Sequence, residues 1–158
     1  MRSMRLVRNF TEAIARFLLS AIFLVTSINK MFHWDDFERI LGSIFNDWLT
    51  YGILPDSLQD AFLSLAHWAP ALLIVSTAFE FFGALLILLG WNERLGATLL
   101  ILLLIPTTFL FHPFWLLEGT ERELATPMFL KNLSIIGALI FIALNGTRSR
   151  ERAVAFSP

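Results

Sequence analysis

Four apolar stretches decide what this chain can fold into. They lie at about 13–30, 69–89, 95–111 and 129–144. A helix that crosses a hydrocarbon core needs about 20 predominantly apolar residues, and each stretch reaches or approaches that length. The third and fourth are slightly short, and the flanking Phe114, Trp115 and Phe129 can complete them at the interface. The expected fold is therefore all-α: an integral membrane four-helix bundle. At 158 residues one domain, 1–158, is expected. Composition agrees. The chain is 56% hydrophobic with a mean hydropathy of +0.68, too apolar for a soluble domain of this size to cover with polar surface.

Between the first two spans the chain is patterned differently. In "WDDFERILGSIFNDWL", Trp34, Phe37, Leu41, Ile44 and Trp48 recur at helical spacing, and Ile40, Phe45 and Leu49 widen the stripe. The acids fall elsewhere on the wheel. This predicts an amphipathic helix over about 34–50, lying along the membrane interface or folded over the bundle. Pro55 then stops one helix, Asp56 or Ser57 can cap the next, and that helix (58–67) is expected to run into the second span with Pro70 as a kink. Pro106 predicts a kink in the third span, where Thr107 and Thr108 can satisfy freed carbonyls. Gly83, Ala84, Gly90, Gly96 and Ala97 allow close approach of the second and third spans.

Charge sets the expected orientation. With the N-terminus cytoplasmic, the inner side carries Arg2, Arg5, Arg8, Arg16, Arg94, Arg148, Arg150 and Arg152, eight of the twelve Lys and Arg. The outer side carries nine acids, from Asp35 through Glu123. Basic residues favour the cytoplasm, so both termini are expected inside. The start "MRSMRLVRNF" with "FLLSAIFLV" fits a signal peptide in outline. The run ends in "TSINKMF" with no small-x-small cleavage site, so a retained first helix is expected. The net charge of −1 speaks against a nucleic-acid partner, and the lack of cysteine excludes disulfides, Cys-ligated iron–sulfur clusters and dithiol chemistry within the chain.

Polar and ionisable residues at membrane depth are few, and they are the functional candidates, because burying a charge near mid-bilayer costs roughly 2.5–3.5 kcal/mol for Asp or a basic residue. They are Asn29 and Lys30 ending the first span, Glu80 in the second, His112 ending the third, and Lys131 and Asn132 opening the fourth. At about 1.5 Å per residue, Glu80 lies roughly 13 Å in from Leu89, Lys131 roughly 20 Å from Leu144, and Lys30 and His112 roughly 21–26 Å from the starts of their spans. Glu80 is thus the deepest. The expectation is a polar pocket open to the outer side, with Glu80 at its floor and Lys30 or Lys131 as its partner. The competing reading has both lysines snorkelling to the interface and Glu80 protonated and purely structural. Three histidines without ligand spacing give no metal site, and a haem between two histidines would need two at facing depths, where only His112 is well placed.

"SINKMFHWDDF", "FEFFGALLILLGWNERLGATLL", "TTFLFHPFW" and "FLKNLSIIGALI" together resemble the DoxX family of small four-helix bacterial membrane proteins. The resemblance runs from about Arg16 to Ala143. It rests on an ordered set: Asn-Lys ending the first helix, Glu-x-x-Gly in the second, Phe-His-x-x-Trp after the third and Lys-Asn opening the fourth. Gly83-Ala84 stands where the family commonly has paired glycines, and the loop before the second helix is longer than typical. The resemblance implies a multi-pass bacterial inner-membrane protein, with the family's polar residues on Asn29, Lys30, Glu80, His112, Lys131 and Asn132. It also implies membership of quinone-linked oxidoreductase or oxidative-stress complexes. Two function classes stay open. One is a redox-linked accessory subunit that binds quinone or another amphipathic small molecule, with no covalent cofactor and with the electrons carried by a partner protein. The other is a non-enzymatic scaffold or chaperone-like interaction protein. A small transporter would need a homo-oligomer.

Overall fold

The computed structural model describes residues 2–146, with the side chains of 7 and 9–146. Arg148, Arg150 and Arg152 of the inner-side count lie outside the described residues, as do the side chains of Arg2, Arg5 and Arg8. Every regular element described is a helix: α1 (Arg2–Phe32), α2 (Trp34–Thr50), α3 (Asp56–His67), α4 (Ala69–Leu89), α5 (Glu93–Phe111) and α6 (Gly119–Asn145). Four of them are long and apolar enough to cross a membrane: Asn9–Phe32 within α1, and the whole of α4, α5 and α6. The bundle is the expected one, with longer helices. α1 begins well before residue 13 and α6 nearly three turns before residue 129. Hydropathy marks only the part of a helix that meets lipid, and a helix continues wherever backbone bonding allows.

The four long helices alternate in direction. α1 packs on α4, α4 on α5, and α5 on α6. The start of α1, the end of α4, the start of α5 and the end of α6 therefore share one face, here the terminal face. α2 and α3 cover the opposite, distal face. The core lies where the helices converge, around Phe23, Ala84, Ile87, Ala97, Leu100, Leu104, Ile136 and Leu139. Much of the remaining apolar surface faces outward, including Phe17, Leu18, Ile74, Phe82, Leu102 and Phe141. That is the surface a bilayer covers.

α4 and α5 approach closely because both are glycine at the crossing. A Cβ added to Gly96 would come 2.6 Å from the Gly83 carbonyl oxygen, inside any real contact. The turn between them closes on Gly90, whose φ of 66° suits a residue without a Cβ. Its N–H bonds the Ile87 carbonyl (3.1 Å) and the Trp91 N–H bonds that of Leu86 (3.3 Å), a Schellman ending. Asn92 then caps α5, its side chain accepting from the Leu95 N–H at 3.3 Å.

The amphipathic helix forms over Trp34–Thr50 as its stripe predicts, and it folds over the bundle end. A single residue, His33, turns α1 into it. Phe45 is 2% exposed, and its ring meets Phe62 of α3 edge-on at 6.0 Å. The Trp48 indole N–H donates to the Leu110 carbonyl at 3.0 Å, fixing α2 to the distal end of α5. Burial, then Asp47 and Glu121, push the Tyr51 phenol above its ordinary 10.0. The field of Glu121 brings the start of α6 into the same distal layer.

Three local expectations are corrected. Pro70 does not kink a continuous helix. The chain breaks at Trp68 (φ −89°, ψ 10°), and Pro70 sits in the first turn of α4, where its missing N–H has no helical partner to lose. Neither Asp56 nor Ser57 caps α3. Pro55 holds the cap position, and the Gln59 side chain bonds back to the Leu54 carbonyl at 3.1 Å. At Pro106 the lost N–H strands the Leu102 carbonyl. The Thr107 hydroxyl donates to the Leu103 carbonyl (2.9 Å) and that of Thr108 to Leu104 (2.5 Å), so neither serves the stranded group.

Candidate functional site

Glu80 is 6% exposed on the inward side of α4. Both of its side-chain partners come from α1. Lys30 Nζ lies 2.5 Å from Oε2, and the Thr26 hydroxyl donates to Oε1. Thr26 and Lys30 are four residues apart, one above the other on the same helix face, so a single stretch of α1 supplies both contacts. Three residues from Glu80, and therefore on the same face of α4, Thr77 is 4% exposed, and its hydroxyl has no hydrogen-bond partner among the described residues. This buried column holds a paired carboxylate and, one turn nearer the distal face, an unsatisfied hydroxyl.

The other sequence candidates fall into a second group nearer the distal face. Helix crossings put Glu80 level with about residue 101 of α5. His112, eleven residues on, sits roughly 16 Å above it at 1.5 Å per residue. Lys131 is exposed and reaches Met128 Sδ at 3.4 Å, one turn toward the distal face. It does not reach Glu80. The reason is topological: α6 packs on α5, while α1 is the neighbour of α4. Lys131 adopts the snorkelling geometry open to a long side chain at an interface. Asn132 beside it is half-buried. Asn29 is exposed, and its carbonyl oxygen accepts from the backbone N–H of His33 at 3.0 Å.

His112 closes α5 and is followed by buried Pro113. Around this corner Phe114 meets Phe129 with ring centres 5.2 Å apart, and Phe109 and Trp115 join them at 5.5 and 5.8 Å from Phe129. The distal group thus pairs an aromatic wall with an imidazole and an ammonium.

Sequence reasoning missed three participants. Thr26 and Thr77 carry no signal alone, and only their spacing from Lys30 and Glu80 marks them. The third is an ion pair at the terminal face, Arg16 Nη2 to Glu93 Oε1 at 2.6 Å. Glu93 is buried, and an acid among the basic residues of that face was the available clue.

A family model, DoxX, matches residues 12–113. The chain belongs to the DoxX family. The matched DoxX segment runs from within α1 past the end of α5, so it contains Asn29, Lys30, Glu80 and His112. Lys131 and Asn132 lie beyond it. No curated protein and no solved structure matches this DoxX chain. Among the described residues no group of His, Cys, Asp or Glu is arranged to hold a metal ion.

The distal group has a pH signature. Burial, and then the Lys131 ammonium, hold the His112 imidazole below its ordinary 6.5. The unfolded chain therefore binds more protons than the folded one between the lowered value and 6.5. Stability falls as pH drops through that window and levels off below it. His112→Asn should remove this part of the slope in a series of thermal unfolding midpoints from pH 7.5 to 5. An unchanged slope would place the titration elsewhere.

Proposed function

We propose that this DoxX protein is a redox-linked accessory subunit of the bacterial inner membrane, with both termini cytoplasmic. In this reading it binds quinone or another amphipathic small molecule through the polar residues of its distal half. The observation that carries the reading is the buried Thr77 hydroxyl, unpartnered one turn from the Glu80–Lys30 pair. An apolar bundle that leaves a hydroxyl unsatisfied loses free energy at that point, so a site with spare hydrogen-bonding capacity suits a ligand oxygen. A quinone carbonyl fits such a donor. The aromatic wall around Phe129, with His112 and Lys131 beside it, supplies the apolar body and polar anchors typical of small-molecule sites.

A bound quinone would supply coupled electron and proton transfer. The chain's own residues would orient it, Lys131 or His112 by donating to a carbonyl, and Glu80 or His112 by taking up a proton. The electrons would come from a partner protein, because the sequence carries no recognisable flavin, haem or iron–sulfur motif. The runner-up reading is a scaffold, and it is favoured by the exposed acids Asp35 and Asp36 at the start of α2 and, separately, by the exposed Ile53 and Trp68.

Extraction of small molecules from protein purified in mild detergent separates the two. Quinone at one per chain, lost in Lys131→Ala or Glu80→Gln, is the expected result. An empty protein that copurifies with a partner, unchanged in both variants, would replace this reading with the scaffold.

A further inference from the structure

α1 and α6 close the ring of helices only in part. Toward the terminal face a cleft of about 760 Å3 opens between them, far from the distal polar group. One end of it is charged. Glu12 and Arg16 of α1, Glu93 of α5 and Asn145 of α6 line it there. The walls are apolar, formed by Leu18, Ala138 and Phe141 among others, and the first and last of these face outward. A polar end at the membrane boundary and an apolar trough running inward have the shape of an amphiphile.

The charged end is held in place. Arg16 lies 2.6 Å from Glu93 Oε1 and 3.8 Å from Glu12 Oε2. The guanidinium rests over Gly90, where an added Cβ would collide with Nη1. Gly90 therefore serves the helix ending and the seat of Arg16 together. Gly146 also packs on Glu93, whose Oε2 would lie 3.0 Å from an added Cβ. A guanidinium carries five donors in a rigid fork, more than one carboxylate takes up, and it matches phosphate oxygens well.

We propose that this cleft binds one phospholipid from the adjoining leaflet, of the zwitterionic class with a primary ammonium in its head. The phosphate sits on Arg16, the ammonium on the carboxylates of Glu12 and Glu93, and an acyl chain lies between α1 and α6. Charge complementarity selects the head. Among the described residues that line the cleft, two carboxylates stand beside one guanidinium, which disfavours a head bearing only negative charge. A methylated choline head carries the right charges but has no N–H to donate to a carboxylate. A primary ammonium has both. The size of the cleft lies within the range that encloses small amphipathic ligands. The proposal stands apart from the distal-half reading and survives its failure.

Native mass spectrometry of the full chain tests it, with phosphatidylethanolamine, phosphatidylcholine and phosphatidylglycerol of identical acyl chains. The wild type should retain one phosphatidylethanolamine at about tenfold preference over each of the others, the effect of one charge-assisted contact. Arg16→Lys, which weakens the phosphate contact common to all three, should lower retention of each, and Glu12→Gln, which removes a carboxylate from the ammonium, should erode the preference. Ala138→Trp fills the trough without touching the ion pair, so it should abolish retention while the unfolding midpoint of lipid-free protein stays at the wild-type value. Retention independent of head, preference for phosphatidylglycerol, no retained lipid, or retention by Ala138→Trp would each overturn the proposal.

Discussion

Lys30→Met should lower the stability of the folded bundle by about 3 kcal/mol, and adding Glu80→Gln should restore much of that loss. Lys30 Nζ sits 2.5 Å from Glu80 Oε2, and the two side chains are only 18% and 8% exposed. Removing the lysine leaves a buried carboxylate with Thr26 as its remaining partner. An uncompensated charge in a low-dielectric interior costs more than the pair it came from contributes. Glutamine in place of the acid removes the charge, and its amide oxygen still accepts from Thr26. Glu80→Gln alone should cost less than Lys30→Met. The lysine lies in the last turn of α1, and its freed ammonium can extend to the interface. Reversible unfolding of the two single variants and the double variant in mixed micelles measures the coupling directly. If the losses simply add, the contact contributes nothing and Glu80 has another partner.

The deep pair also shows what a sequence can and cannot say about such a site. Glu80 is legible because it is the single acid in a 21-residue apolar helix, where the cost of burial calls for a partner or a proton. Depth along the bundle was legible too, since helix rise is fixed. Depth gives a level but no direction around the bundle, so Lys30 and Lys131 both stand as candidates. Only the order of packing separates them. α1 is joined to α4 through the α2–α3 layer and packs on it, and α6 follows α5 and packs there. The amphipathic stripe of α2 announced a helix, and the tie from Trp48 to Leu110 decided that it folds over the bundle. The Arg16–Glu93 pair escaped notice because each residue alone reads as an ordinary interfacial charge. Gly90 reads in sequence as a small residue that lets helices approach, and its roles as helix ending and as seat of the guanidinium appear only in the fold.

Gly96→Ala should destabilise the bundle by about 1–3 kcal/mol, the range for overpacking a tight contact, although alanine is the better helix former by about 1 kcal/mol. The nearest atom to the new methyl group is the backbone oxygen of Gly83 at 2.6 Å, followed by Leu86 Cβ at 3.0 Å. Neither can rotate away, so α4 and α5 must separate. Gly83→Ala should cost less. The nearest atoms to its methyl group belong to the Leu100 side chain, at 2.9 and 3.0 Å, and the nearest backbone atom, the Gly96 oxygen, stands at 3.1 Å against 2.6 Å for the Gly96 methyl. The difference reaches the polar site, because Gly83 lies one turn from Glu80 on the same face of α4. A helix pushed off α5 at Gly83 carries Glu80 with it. The Lys30–Glu80 coupling energy should therefore shrink in a Gly96→Ala background and persist in a Gly83→Ala background. Equal destabilisation by the two alanines, or a coupling energy untouched by Gly96→Ala, would mean that the glycine crossing does not set the position of the carboxylate.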